Sequence, residues 1–145
     1  MKRNIHLSLR AGERIFINGA VLKVDRKVSI EVMNDATYLL EHQILQPQDT
    51  TTPLRQTYFV LQSMLMDPAG TPLARQVFDE SLPWLTKAFA SQEVLAGIEE
   101  ATALVAEGNV FAALKVIRTL FPLEDAILGR ARGETIKVME IAACS

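Results

Sequence analysis

An α+β fold is predicted, with a small antiparallel β meander or barrel at the N-terminus followed by a C-terminal α-helical bundle. Three observations predict it. The first 40 positions read as short strands, with the apolar–polar alternation of half-buried strands at Ile5–Leu9 and Val28–Val32 and turn residues between the runs. From Thr52 onward apolar residues recur at three- and four-residue spacing, the period of a helix. Between the two patterns, Gln46-Pro47-Gln48-Asp49-Thr50-Thr51-Thr52 has no apolar residue except proline and marks a junction. The division is a β-rich head, 1–46, and a helical body, 47–145. The two are expected to unfold as one cooperative unit, because four or five short strands hold little interior of their own.

In the head, Ile5, Leu7 and Leu9 alternate with His6 and Ser8, and Gly12 breaks the run. Arg14-Ile15-Phe16-Ile17 leads into Asn18-Gly19, a strong hairpin signal because both central residues of a type I′ turn need positive φ. Ala20–Val24 is the returning strand and Asp25-Arg26-Lys27 a polar turn. Val28, Ile30 and Val32 then alternate, Met33-Asn34-Asp35 turns, and Thr37–Leu40 ends the series. Sheet edges of this kind need covering, and a homodimer or higher homo-oligomer is expected to cover them.

In the body, Thr52 and Pro53 supply an N-cap and a first helical residue, with Leu54, Tyr58, Leu61 and Leu65 on one face. Asp67-Pro68-Ala69-Gly70 stops this helix, and Thr71-Pro72 opens a second by the same device. Its stripe, Ala74, Val77, Phe78 and Leu82, meets Pro83, which must end or kink it before Trp84, Leu85, Ala88 and Phe89 continue. Ser91 caps a third helix that runs to Gly108, a C′ residue. Asn109 caps a fourth, with Val110, Leu114, Ile117 and Phe121 on one face and Pro122 closing it, and 123–128 make a further turn or two. The tail, 129–145, fits an edge strand or a terminal helix.

Composition narrows the functional classes. Of 145 residues, 49% are hydrophobic and 22% charged, as in an ordinary globular protein, which argues against wholesale disorder. No apolar stretch approaches the ~20 residues a bilayer demands, and Met1-Lys2-Arg3-Asn4-Ile5-His6 lacks the apolar region of a secretory signal, so a cytoplasmic location is expected, with no membrane contact. Cys144 has no second cysteine to pair with, and His6 and His42 complete no metal-ligand set, so neither metal nor cofactor is expected. Phosphate-binding glycine loops, zinc-protease motifs and nucleophile elbows are missing from the sequence, and the neighbouring carboxylates Glu99-Glu100 and Glu124-Asp125 would not face each other on a helix. An enzyme is not expected.

The net charge of −2 is divided unevenly. Residues 1–46 carry seven Lys/Arg against five Asp/Glu, and residues 47–145 eight against twelve. Arg10, Arg14, Lys23, Arg26 and Lys27 make the best functional cluster, because Arg10 and Arg14 flank the first turn while Arg26 and Lys27 occupy the third. Such cations neutralise phosphates. Phe16 is the one aromatic of the first 37 residues on which a base could stack, although its strand pattern favours the core. In the body, Arg55 sits in a first helical turn, where the macrodipole disfavours a cation unless it pairs with something specific. Tyr58, Phe59, Trp84, Phe89, Phe111 and Phe121 have the spacing of core residues, and any that are exposed would form a groove for a partner helix.

Long runs of the chain resemble one family. Arg10 through Lys27, then Asn34-Asp35-Ala36-Thr37, Gln46-Pro47, Thr51-Thr52-Pro53-Leu54-Arg55-Gln56 with Tyr58-Phe59, and more weakly Ala113-Leu114-Lys115 through Pro122, resemble FlbT, the flagellin-regulating family of alphaproteobacteria. The resemblance implies a post-transcriptional regulator acting at the 5′ untranslated region of flagellin mRNA, with a small FlaF-like partner. In some members the effect is repression with mRNA decay, and in others flagellin production is favoured. The head is also similar to the carbon storage regulator family of β-stranded RNA-binding dimers at Leu9-Arg10-Ala11-Gly12-Glu13-Arg14-Ile15-Phe16-Ile17, with Glu41 standing where that family has a binding arginine.

Two functions follow. In one, the basic head (Arg10, Arg14, Lys23, Arg26, Lys27) contacts the flagellin mRNA leader while Arg55, Tyr58 and Phe59 on the body meet a FlaF-like protein. In the other, the chain is an adaptor or chaperone-like module for FlaF or flagellin whose effects on RNA are indirect. The first expects the five cations on one contiguous face, and the second a hydrophobic groove on the helices.

Overall fold

The computed structural model describes residues 5–129, and backbone contacts divide the chain at Pro47/Gln48 into two compact units. Of the tail, only Gly129 is described, at the end of a helical run; Cys144, Lys2 and Arg3 lie outside the described residues.

Strands come first and helices second, the predicted α+β order. The β unit contains β1 (Ile5–Leu9), β2 (Arg14–Ile17), β3 (Ala20–Lys23), β4 (Val28–Val32) and β5 (Tyr38–Leu40). All pair antiparallel, but β1 lies against β4 while the second sheet runs β3-β2-β5. Chain order is therefore not sheet order within the small antiparallel unit. The residue numbers of paired positions add to 37 in both ladders, from Ile5↔Val32 through Leu9↔Val28 to Arg14↔Lys23 and Ile17↔Ala20. Strands β1 to β4 are thus one long hairpin, interrupted midway.

The tip of the hairpin is Asn18-Gly19, at φ 45° and 92°, which is the positive-φ pair a type I′ turn requires. At its waist, Gly12 at φ 80° is the third residue of a turn closed by the Glu13 N–H donating to the Arg10 carbonyl at 3.0 Å, as in a type II turn. The Gly12 N–H then donates to the Val24 carbonyl at 2.7 Å, and the Val24 N–H to the Glu13 carbonyl at 3.1 Å, so the two arms stay bonded across the interruption. Gly12 bends an arm rather than joining neighbouring strands. Leu7, Leu9 and Ile15 form the small core, with Val28, Ile30 and Leu40 packed around it.

In the helical unit α1 is Pro53–Met66, α2 Thr71–Lys87, α3 Gln92–Ala106 and α4 Val110–Thr119, with residues 121–129 also helical. Side-chain caps stand where the sequence placed three of them. Thr52, Ser91 and Asn109 accept the N–H groups of Arg55, Val94 and Ala112. Thr71 differs: it is the first residue of α2, behind an N-cap at Gly70, and its hydroxyl donates to the Met64 carbonyl at 3.4 Å. Pro83 does not end α2, because it and Asp79 lie on the exposed side, where the carbonyl that proline releases is open to water. After α4, Pro122 opens the helical run 121–129 instead of terminating structure.

Helix α1 packs on both α2 and α4, and α4 packs on α3. Tyr58, Leu61, Phe78, Val94, Leu114 and Ile117 fill the interior. Helix α2 leans chiefly on α1, which leaves part of its apolar stripe uncovered. Trp84, expected in the core, is 79% exposed.

Candidate functional site

The waist of the hairpin gathers the five cations singled out in the sequence. Residues 10–14 on one arm face residues 23–27 on the other, with Arg14 and Lys23 directly opposite each other in the ladder. Like charges directly opposite each other repel. Glu41, just after β5 and so across β2 from Lys23, offsets the Arg14 charge: Arg14 Nε donates to its carboxylate at 2.9 Å. The Arg14 hydrogen bonds hold the Glu41 carboxyl below its ordinary pKa, with smaller contributions from the charges of Arg14 and Lys23.

The other two acids at the waist are occupied locally. Glu13 accepts the backbone N–H of Arg10 at 2.9 Å, which leaves it bracing the turn. Asp25 pairs with its neighbour Arg26 at 3.2 Å, with both side chains about four-fifths exposed, and such a pair contributes little. Arg10, Lys23 and Lys27 are exposed and form no ion pair with a described residue. An open polar concavity of about 600 Å³ lies beside the turn, bounded by Ser8, Arg10, Glu13, Glu41 and His42. Phe16 offers no stacking face. It is buried on the sheet face opposite Ile15 and pairs with buried Leu39.

Arg55, Tyr58 and Phe59 sit differently. Glu124, fully buried, accepts the Thr52 hydroxyl, the Leu54 N–H at 2.8 Å and Arg55 Nη1 at 3.2 Å. Its carboxylate therefore satisfies a donor at the N-terminus of α1 and opposes the positive end of the helix dipole. Arg55 also holds Asp125 through two hydrogen bonds, 2.8 and 3.0 Å, and stacks over Phe121 at 4.6 Å. The Asp125 hydrogen bonds raise the Arg55 pKa, against the opposing effect of burial. Tyr58 is buried edge-on to Phe121, and burial pushes its hydroxyl pKa up while Arg118 pulls it down. Phe59 is half-buried. The specific partner expected for Arg55 is thus inside the chain. Adjacent on one helix, Glu124 and Asp125 do not form an acid/base pair, and nothing local in the sequence indicates that they close on a residue about 70 positions away.

Among the described residues no group of three or more His, Cys, Asp or Glu is placed to hold a metal ion. None of the described helices is long and apolar enough to cross a membrane.

Fold and site together define a small α+β protein made of a basic β-hairpin unit and a helical unit braced from within. The family profile described as "Flagellar protein FlbT" matches residues 5–128, and the chain belongs to that family. It is 48% identical over 132 residues to the "Probable flagellum biosynthesis repressor protein FlbT" of Chelativorans sp., covering 91% of each chain. The proteins of the same name from Rhizobium leguminosarum bv. trifolii and Brucella ovis are 51% and 53% identical over 128 residues, covering 88% of this chain and 86% and 84% of theirs. No solved structure matches.

Proposed function

We propose that the chain is a regulator of flagellum biosynthesis that contacts the 5′ untranslated region of flagellin mRNA through the hairpin waist and controls its translation or decay, together with a FlaF-like partner. The observation that carries this reading is the convergence of Arg10, Arg14, Lys23, Arg26 and Lys27 on one interruption of one hairpin. Phosphates are matched by clustered guanidinium and ammonium groups whose local acids are already engaged, and each such contact releases counterions. Family membership supports the flagellar role, and the relatives' printed name supports repression as its sense.

The test is a titration of the flagellin leader RNA over a salt series, with and without a FlaF-like partner. Replacing Arg26 and Lys27 by Ala changes folding stability by less than ~0.5 kcal/mol, since exposed turn charges matter little. The same double variant binds RNA more weakly and lowers the slope of log affinity against log salt by about one per lost phosphate contact. Wild-type binding by the variant, or no binding by either protein, overturns the RNA reading and favours an adaptor that holds FlaF or flagellin.

A further inference from the structure

Leu73, Val77 and Trp84 lie along one side of α2, each more than two-fifths exposed. Spacings of four and seven residues put them on a single helical stripe. Val60, on the facing side of α1, lines the same depression, which consists of two apolar concavities of about 280 Å³ each that share Val60 and Val77. From Leu73 to Ala88 the trough runs ~22 Å at 1.5 Å per residue, the length of a four-turn helix. A lone tryptophan at the end of an apolar trough is the composition of an interface anchor rather than of ordinary surface.

Charge selects the occupant. Asp67 lines one end of the trough, and Glu80 is one turn from both Val77 and Trp84. Over residues 48–129 the unit carries five Lys/Arg against ten Asp/Glu, so a second copy of it would be repelled and a cationic partner attracted. We propose that this groove docks an amphipathic helix of another protein, with apolar residues at i, i+4, i+7 and i+11 and Lys or Arg along the flanks. The proposal concerns the helical unit and stands apart from the RNA reading, which concerns the hairpin.

Trp84 is the only tryptophan of the chain and reports directly on the groove. The probe is a synthetic 18-residue helical peptide of the stated pattern, compared with a twin carrying Glu at the flanking positions and with a shuffled peptide of the same composition. The expected result is a saturable blue shift of Trp84 emission with the basic peptide, weakened at least about tenfold in the acidic and shuffled peptides. Val77→Glu and Leu73→Glu replace exposed side chains, so each keeps the helical circular dichroism while weakening the peptide about tenfold or more. Ala96→Glu, at an exposed position on α3, leaves binding unchanged, and the flagellin leader RNA binds Val77→Glu as it binds wild type. The proposal is overturned by the lack of a saturable shift with the basic peptide, by equal binding of the acidic or shuffled peptide, or by a folded Val77→Glu that binds normally. A blue shift produced by raising protein concentration alone also overturns it, because a second copy would then fill the groove.

Discussion

Arg55 and Arg14 each hold a carboxylate distant in sequence, in opposite settings. Glu124, the partner of Arg55, is 0% exposed and serves three donors, whereas the side chains of Arg14 and Glu41 are 61% and 41% exposed. The same contrast runs through the two units. Sixteen buried apolar side chains lie in Gln48–Ser145 and five in Met1–Pro47, among the described residues. A unit with a substantial interior can spend a carboxylate on fastening helix ends, because burial strengthens the bond and makes its loss costly. A unit with five buried side chains holds its charges at the surface, where they add little to stability and stay within reach of an anionic ligand.

The sharpest way to break this contrast is to remove the two carboxylates in turn. Glu124→Ala leaves the Thr52 hydroxyl and the Leu54 N–H without their acceptor and deprives Arg55 of its buried partner, at a cost of about 3–5 kcal/mol. Urea unfolding reads this as a lower midpoint at unchanged slope. Glu124→Gln recovers part of the loss, since an amide oxygen still accepts one bond. Glu41→Ala lowers the midpoint only slightly, because the pair it breaks is exposed. Equal losses at the two sites would erase the distinction between structural and surface charge.

The legible part of this architecture is local. Asn18-Gly19 announced the hairpin tip, and Thr52, Ser91 and Asn109 announced helix starts, because turns and caps are decided by residues within three positions of each other. The pairing of β1 with β4 was not legible, since Gly12 looks alike whether it joins two neighbouring strands or bends one arm of a longer hairpin. Glu124 was missed because its donors lie about 70 residues away. Periodicity places Trp84 on the apolar face of its helix, and only the packing of α2 chiefly on α1 decides how much of that face is covered. At the waist, the five cations were legible as a set, while their acidic counterparts, Glu13 on a backbone N–H and Glu41 across from Arg14, required the fold.

Ile15→Ala removes a fully buried side chain from the small core and costs about 2–5 kcal/mol. If the β unit and the helical unit unfold together, the midpoint followed by Trp84 emission falls as far as the midpoint followed by the total circular dichroism. A Trp84 transition that stays in place while another moves would show two independent domains.

Edges supply a smaller effect. Every residue of β3 is exposed, and Val21 and Leu22 open on opposite faces of an edge strand that carries one charge, Lys23. Such an edge pairs readily with another strand. Light scattering at tens of micromolar is expected to report a homodimer or larger assembly, and Val21→Lys to shift it toward the monomer while leaving the unfolding midpoint of the monomer nearly unchanged. A wild-type monomer at that concentration would mean that β3 needs no cover.

The smallest expected change is the titration of Glu41, and it bears on how the surface charges are kept ready. Its folded-state pKa lies below the ordinary carboxylate value, first because Arg14 donates to it and then, more weakly, through the charges of Arg14 and Lys23. A carboxylate depressed on folding contributes stability that is present above its unfolded pKa and fades as pH falls through the lower, folded one. The carboxyl resonance of Glu41, followed by NMR, therefore titrates at lower pH than that of an unpaired glutamate. Arg14→Ala returns it most of the way, and Lys23→Ala moves it less. Because the pair is exposed, added salt narrows the difference. Glu41→Gln is then the informative variant: it retains an acceptor for Arg14 but removes the charge, so leader-RNA binding should tighten at low salt while folding stability barely changes. Weaker RNA binding by Glu41→Gln would mean that Arg14 needs the carboxylate for its orientation more than it needs release from its charge.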